Sequence, residues 1–172
     1  MNYEKLFTPM KIGKMEVKNR LSFSPMGTNS AFTNGRKDEQ EIDYFIRRAK
    51  GGVGMIVNGC QMLNEAIAQG SMEGYLDSYS VLPALTSMVD GVHRYGARII
   101  CQISPGTGRN AFPDTNGNPP MSASAIPSAF DPNVICHALT KDEISNIMKM
   151  TEFAAGVARD AGYDGIEIHA HA

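Results

Sequence analysis

The stretch LPALTSMVDGVHRYGARIICQI, residues 82–103, contains both kinds of element from which this fold is built. Its first part spaces apolar side chains three and four residues apart, which predicts an amphipathic helix from Leu82 to Tyr95. Gly96 follows as a helix stop, and Arg98 to Ile103 is then a compact apolar run typical of a strand. A helix that leads directly into a buried strand is the repeating unit of parallel α/β sheets.

The same alternation extends to both sides of this stretch. Strands are predicted at 21–26, 53–57 and 165–169, and helices at 38–50 and from Thr140 to Ala158. The last helix opens with Thr140-Lys-Asp-Glu143, a capping box in which side chain and backbone satisfy each other's amides. The segment 104–138, rich in Pro, Gly, Asn and Ser, is too long for a plain connection and is expected to be functional. Four strands separated by three helices predict an α/β fold with a parallel sheet.

Composition excludes several classes of protein. Of the 172 residues 42% are hydrophobic and 20% charged, with a net charge of −2, as in globular rather than disordered chains. Basic residues are scattered, so we expect no nucleic-acid partner. No apolar run approaches the roughly 20 residues of a membrane helix, and the first residues do not form a secretory signal. Cys60, Cys101 and Cys136 are expected to be reduced thiols in a cytoplasmic protein.

Candidate site residues occur where the predicted strands end, which is where ligands bind in parallel α/β sheets. In chain order these residues are Pro25, Met26, Gly27, Thr28, Gly59, Gln102, His169 and His171.

Gln102, the two glycines and the two histidines each allow more than one interpretation. The Gln102 amide both donates and accepts, so it can pair with an imide edge such as the pyrimidine end of a flavin, or simply cap a strand. Gly27 and Gly59 leave room for a flat ring, although turn geometry explains glycine equally well. His169 and His171 share one strand face. They could donate hydrogen bonds to a carbonyl oxygen or bind a divalent metal.

Two charged residues are expected to pair below this edge. Arg98 lies on the same face of its strand as Gln102, and Glu167 lies two residues before His169. If both faces point inward, Arg98 and Glu167 form a structural ion pair rather than a catalytic one.

Segments spread along the chain resemble one known family. They are LFTPMKIG (6–13), VKNR (17–20), SPMGT (24–28), RAKGGVG (48–54), Gln102 with Gly108-Arg109, and AGYDGIEIH (161–169). In order and spacing this set is similar to the landmarks of old yellow enzyme and 2,4-dienoyl-CoA reductase type flavoproteins. The resemblance implies a (β/α)₈ TIM barrel that binds FMN, of which residues 1–172 contain about the first four β/α units as an N-terminal half.

The resemblance also implies roles for the candidate residues. Pro25, Met26, Gly27 and Thr28 would line the flavin, Gly59 would back it, and Gln102 would hold its pyrimidine edge. His169 would bind the substrate, with His171 as a second donor in place of the family's usual His-x-x-His or His-x-x-Asn pair. NADH or NADPH would reduce FMN, which would pass hydride to the β-carbon of an activated alkene such as an enone, enoate or enoyl thioester.

The remaining expectations concern what accompanies these residues. The resemblance puts the proton-donating tyrosine and the strands that hold the FMN phosphate past residue 172, so we expect the 172 residues alone to be inactive and to bind FMN weakly. The larger relatives add a 4Fe-4S cluster and FAD; whether this protein has them is left open, since that region would also lie past residue 172, and a homo-oligomer is likewise left open. The alternatives are a metal-dependent hydrolase barrel that uses His169 and His171, and a non-catalytic half-barrel.

Overall fold

The structure, a computed structural model, describes residues 3–28, 37–67, 73–111 and 117–170. Within these ranges the elements are, in chain order, β1 (Met10–Ile12), β2 (Met15–Val17), β3 (Ser22–Met26), α1 (Glu39–Lys50), β4 (Met55–Met62), α2 (Leu82–His93), β5 (Arg98–Ser104), β6 (Met121–Ser122), β7 (His137–Ala138), α3 (Lys141–Asp160) and β8 (Gly165–Ile168). Short 3-10 helices at Glu4–Phe7 and Tyr79–Val81 precede β1 and α2.

The central feature is a parallel sheet of β3, β4, β5 and β8, in which strands that follow each other in this series are neighbours. All three pairings are parallel, and α1, α2 and α3 each lie between two successive strands in the chain. This arrangement confirms the α/β fold with a parallel sheet that the alternating pattern predicted.

The helices begin and end close to their sequence signals. The carboxylate of Asp38 accepts a hydrogen bond of 2.8 Å from the Glu41 amide at the start of α1. The capping box of α3 is confirmed: Glu143 N donates to Thr140 Oγ1 (3.2 Å) and Thr140 N donates to Glu143 Oε2 (2.7 Å). In the described parts of the chain, none of the helices has both the length and the apolar content needed to cross a membrane.

The core lies between the helices and one face of the sheet. Ile99, Cys101 and Ile103 of β5 are at most 1% exposed and belong to one cluster with apolar side chains of all three helices. Since successive side chains of a strand point to opposite faces, Gln102 of the same strand lies on the face away from the helices. This alternation decides which residues can contact a ligand.

Three features depart from the sequence reading. β4 runs to Met62, five residues past its predicted end at Val57, with a bulge between Asn58 and Gln61. The segment predicted as one long loop contains the paired strands β6 and β7. The hairpin β1–β2 was not predicted, because strands of three residues are too short to show a clear periodicity.

Candidate functional site

The carboxyl ends of the four parallel strands form one edge of the sheet. Strand register sets one row of residues side by side: Met26, Asn58, Cys101 and Ile166. The residues that directly follow this row toward the edge are Gly27, Gly59, Gln102 and Glu167. The candidate residues from three different strands are thus neighbours, although they are far apart in the chain.

The Gln102 side chain is buried and hydrogen-bonded to the neighbouring strand. It is 5% exposed, and its Nε2 donates a hydrogen bond of 2.6 Å to Glu167 Oε1 on the neighbouring strand. A carboxylate only accepts hydrogen bonds, so the amide nitrogen must face Glu167 and the amide oxygen must face away from it. The side chain therefore offers an oriented acceptor at the sheet edge.

The expected ion pair between Arg98 and Glu167 is wrong. Arg98 Nη1 instead contacts Asp164 Oδ1 at 2.9 Å, and Arg98 Nε donates to the Glu16 carbonyl at 2.9 Å. The other oxygen of Asp164 accepts from His93 Nε2 (2.7 Å) and from the backbone amide of residue 99 (2.8 Å). Asp164 lies just before β8, at the amino-terminal end of the sheet where Arg98 begins β5, whereas Glu167 is opposite Gln102, further along the strand. Glu167 accepts a hydrogen bond from Gln102 instead.

Gly59 lies directly against the backbone of Met26 on the neighbouring strand β3. A Cβ built on Gly59 would come within 2.5 Å of the Met26 backbone nitrogen and nearer still to its carbonyl group. No side chain fits there unless the two strands separate. The close approach coincides with register shifts in both pairings of β4. Gly59 therefore has a structural requirement of its own at the proposed flavin edge.

The end of β3 carries the other candidates for flavin contact. Pro25 lacks a backbone donor and occurs where the register of this edge strand shifts, a position that proline tolerates. Met26 is 46% exposed, and Thr28 is half-buried. A Cβ on Gly27 would collide with the carboxylate of Glu73, which therefore lies over this glycine. Glu73 is a neighbour that sequence spacing alone could not reveal.

The Asn58 side chain lies in the interior and not at the edge, although Asn58 directly precedes Gly59 in the sequence. It is fully buried, and its Oδ1 accepts a hydrogen bond of 2.7 Å from the Tyr163 hydroxyl. Its Nδ2 has no hydrogen-bond partner among the described residues. Burial raises the pKa of Tyr163 well above its ordinary value, so the phenol stays a donor. Asn58 belongs to the interior beneath the edge.

Cys60 and Ser104 are edge residues that the sequence reading did not select. The Cys60 thiol is half-buried and hydrogen-bonded to the Ser104 side chain, and burial raises its pKa. Ser104 also accepts from the Gly106 amide at 3.2 Å, at the start of the loop after β5. A cysteine next to a strand-end glycine was the only available signal, and it is a weak one. All three cysteines are free.

His169 continues the edge one residue past β8. Its backbone amide donates to the Ile103 carbonyl at 2.8 Å, which extends the parallel pairing, and the residue is half-buried. His171 lies outside the described residues. Among the residues that the structure does describe, no three His, Cys, Asp or Glu side chains are grouped so that they could hold a metal ion.

Comparison with known proteins identifies the family. The model of the NADH:flavin oxidoreductase / NADH oxidase family matches residues 5–172. The chain belongs to this family. Cinnamate reductase from Clostridium sporogenes is 35% identical over 98% of the chain, and NADH oxidase from Thermoanaerobacter brockii is 33% identical over 98%. An old yellow enzyme from Pichia sp. AKU4542 superposes with a TM-score of 0.84 at 26% identity, over 96% of the chain. These matches confirm the resemblance inferred from the sequence.

The chain is shorter than these relatives of the NADH:flavin oxidoreductase / NADH oxidase family. It spans 26% of cinnamate reductase, 26% of the NADH oxidase and 45% of the Pichia enzyme. What those proteins do as wholes therefore enters only as a proposal for this chain.

Proposed function

We propose that this chain forms the FMN-binding part of an NADH- or NADPH-dependent reductase that acts on an activated carbon–carbon double bond. The observation that carries the proposal is the buried, oriented amide of Gln102 beside Gly59 and His169 at the carboxyl edge of the sheet. Family membership supports the flavin, and two relatives, cinnamate reductase and NADH oxidase, support the substrate class and the reductant.

The described edge suits the ring of a flavin. The Gln102 oxygen is an acceptor that matches an imide N–H, and the exposed side chain of Met26 gives apolar surface nearby. In this proposal Gln102 holds the pyrimidine edge and Gly59 backs the ring. The ring is lined by Pro25, Met26, Gly27 and Thr28. Bound FMN would supply the hydride transfer that no amino-acid side chain provides.

Substrate binding is assigned to the histidines after β8. His169 would donate a hydrogen bond to the carbonyl oxygen of an enone, enoate or enoyl thioester, on which negative charge develops as hydride reaches the β-carbon. His171 is proposed as the second donor. The same histidines could serve as metal ligands in a hydrolase, so the zinc content of the purified protein is part of the test.

The proposal extends to the surrounding architecture. The four strands would be the first half of an eight-stranded (β/α)₈ barrel, with residues 1–172 as the N-terminal half of one FMN domain. Several further points stay predictions: a cytoplasmic location, a small-molecule substrate and the absence of a nucleic-acid or membrane partner. The presence of FAD and a 4Fe-4S cluster in a further region stays open. The weak FMN binding and inactivity expected of the 172 residues alone also stay predictions, and stoichiometric flavin in that chain would contradict them.

The experiment is a visible spectrum of the full-length protein that contains these 172 residues, purified without added flavin, followed by anaerobic titration with NADH and then NADPH. We expect a flavin band that one nucleotide bleaches and that cinnamate or an enone restores. His169→Ala should keep the band but slow its return roughly 100-fold or more, since one donor to a developing oxyanion contributes that much. His137→Ala is the matched control, because His137 is exposed in β7 and contacts Glu143 rather than the candidate residues at the sheet edge. A colourless protein that takes up no FMN and carries zinc would refute the proposal.

A further inference from the structure

Glu167 has one hydrogen-bond partner among the described side chains, and that partner is Gln102. The two residues are opposite each other in the register of β5 and β8, so their side chains leave the sheet on the same face. Gln102 Nε2 and Glu167 Oε1 are 2.6 Å apart. Gln102 is 5% exposed, which restricts the side chain to few positions.

The orientation of an amide matters because its two ends are nearly the same shape but opposite in hydrogen bonding. Without a partner that fixes its amide, a glutamine at a binding edge can present either its oxygen or its nitrogen to a ligand. An ionised carboxylate accepts only, so Glu167 stabilises the orientation with nitrogen inward and disfavours the reverse. The Gln102 oxygen is then turned to the remaining open side of the amide.

The arginine on the same face of β5 pairs with Asp164 and not with Glu167. Arg98 lies on the same strand face as Gln102, but its guanidinium is held by Asp164 and by the Glu16 carbonyl. Asp164 thus binds Arg98 at the amino-terminal end of the sheet, and Glu167 binds Gln102 at the carboxyl end.

We propose that Glu167 is a positioning residue that fixes the Gln102 amide so that its oxygen accepts the imide N–H of a flavin pyrimidine ring. The inference rests on the proposed FMN site. It gives that site a preference: rings that present a hydrogen-bond donor at the imide position bind, and rings alkylated there are rejected. Glu167 does this through Gln102 and without touching the flavin.

The variant Glu167→Gln tests this role with little change of shape. A glutamine at 167 can accept from Gln102 or donate to it, so both amide orientations become accessible. Strand pairing between β5 and β8 rests on backbone hydrogen bonds, such as Asp164 N to the Ile99 carbonyl at 2.9 Å, and is untouched. Glu152→Gln, on the exposed side of α3, is the matched control for loss of one acidic charge.

The measurement is the dissociation constant of FMN and of N3-methyl-FMN from the full-length apoprotein, followed by quenching of flavin fluorescence. In the wild type and in Glu152→Gln we expect N3-methylation to weaken binding about tenfold, the worth of one hydrogen bond. In Glu167→Gln this ratio should fall to about threefold or less, while FMN itself binds more weakly than to the wild type. A merely structural role would weaken both ligands alike and leave the ratio unchanged.

The outcomes separate the two proposals. If the full-length wild type takes up no FMN, the proposed function itself fails. If the wild type binds FMN and Glu167→Gln keeps the full discrimination against N3-methyl-FMN, only the assignment of Glu167 is overturned. Far-UV circular dichroism of each variant before titration shows that a changed ratio comes from folded protein.

Discussion

The contact between Gly59 and Met26 gives a sharp prediction about stability. In Gly59→Ala the new Cβ would sit within 2.5 Å of the Met26 backbone nitrogen, whereas ordinary contacts begin at 3.4 Å. Relief requires β3 and β4 to separate by about 1 Å, because the obstacle is backbone and cannot rotate away. Overpacking typically costs about 1 to 3 kcal/mol, and an immovable neighbour favours the upper end. We therefore expect the free energy of unfolding to fall by about 3 kcal/mol.

The assay is urea unfolding of the apoprotein at pH 7, followed by far-UV circular dichroism. Gly156→Ala is the matched control: Gly156 lies within α3, and nothing is within 4 Å of its added Cβ. Alanine there should stabilise the protein by about 0.5 to 1 kcal/mol through helix propensity. A Gly59→Ala protein within about 0.5 kcal/mol of the wild type would refute the steric argument. It would leave Gly59 only its proposed role beside the flavin.

Three further predictions concern groups outside the sheet edge. Hydrogen bonds from the Thr140 backbone and the His137 ring lower the pKa of Glu143 from 4.5 to about 2. The ionised Glu143 carboxylate therefore stabilises the folded protein above pH 4.5, and this contribution is lost as pH falls toward 2. The difference between wild type and Glu143→Gln in urea midpoints should shrink over that range, and a constant difference would contradict the capping box. Tyr163→Phe removes the hydrogen bond to buried Asn58 and should cost about 1 to 2 kcal/mol in the same assay; an unchanged midpoint would count against that bond. Iodoacetamide at pH 8 should leave Cys101 unmodified until urea unfolds the protein, because burial raises the pKa of the Cys101 thiol to about 12. Labelling of Cys101 in the folded protein would show instead that this thiol is accessible.

Local signals in the sequence were sufficient for the helices and for the class of fold. Asp38, the Thr140–Glu143 capping box and the glycines after each helix act within one turn of the backbone, so their effect can be read from neighbouring residues. Apolar periodicity then assigned the strands to a parallel sheet, because a strand buried on the helix side leaves a recognisable pattern. The same reasoning brought Gly27, Gly59 and Gln102 to one edge.

The partners of these residues were decided only by the tertiary structure. Gln102 and Glu167 are 65 residues apart, as are the Ile99 amide and its acceptor Asp164. Spacing along the chain shows that side chains share a face, but it does not show which of two acids an arginine will reach. The extra length of β4 depends likewise on a bulge that only pairing with β5 defines. A hydrogen bond requires two atoms to meet within about 3 Å, and across strands that distance is fixed by register, which the chain acquires only when the sheet forms.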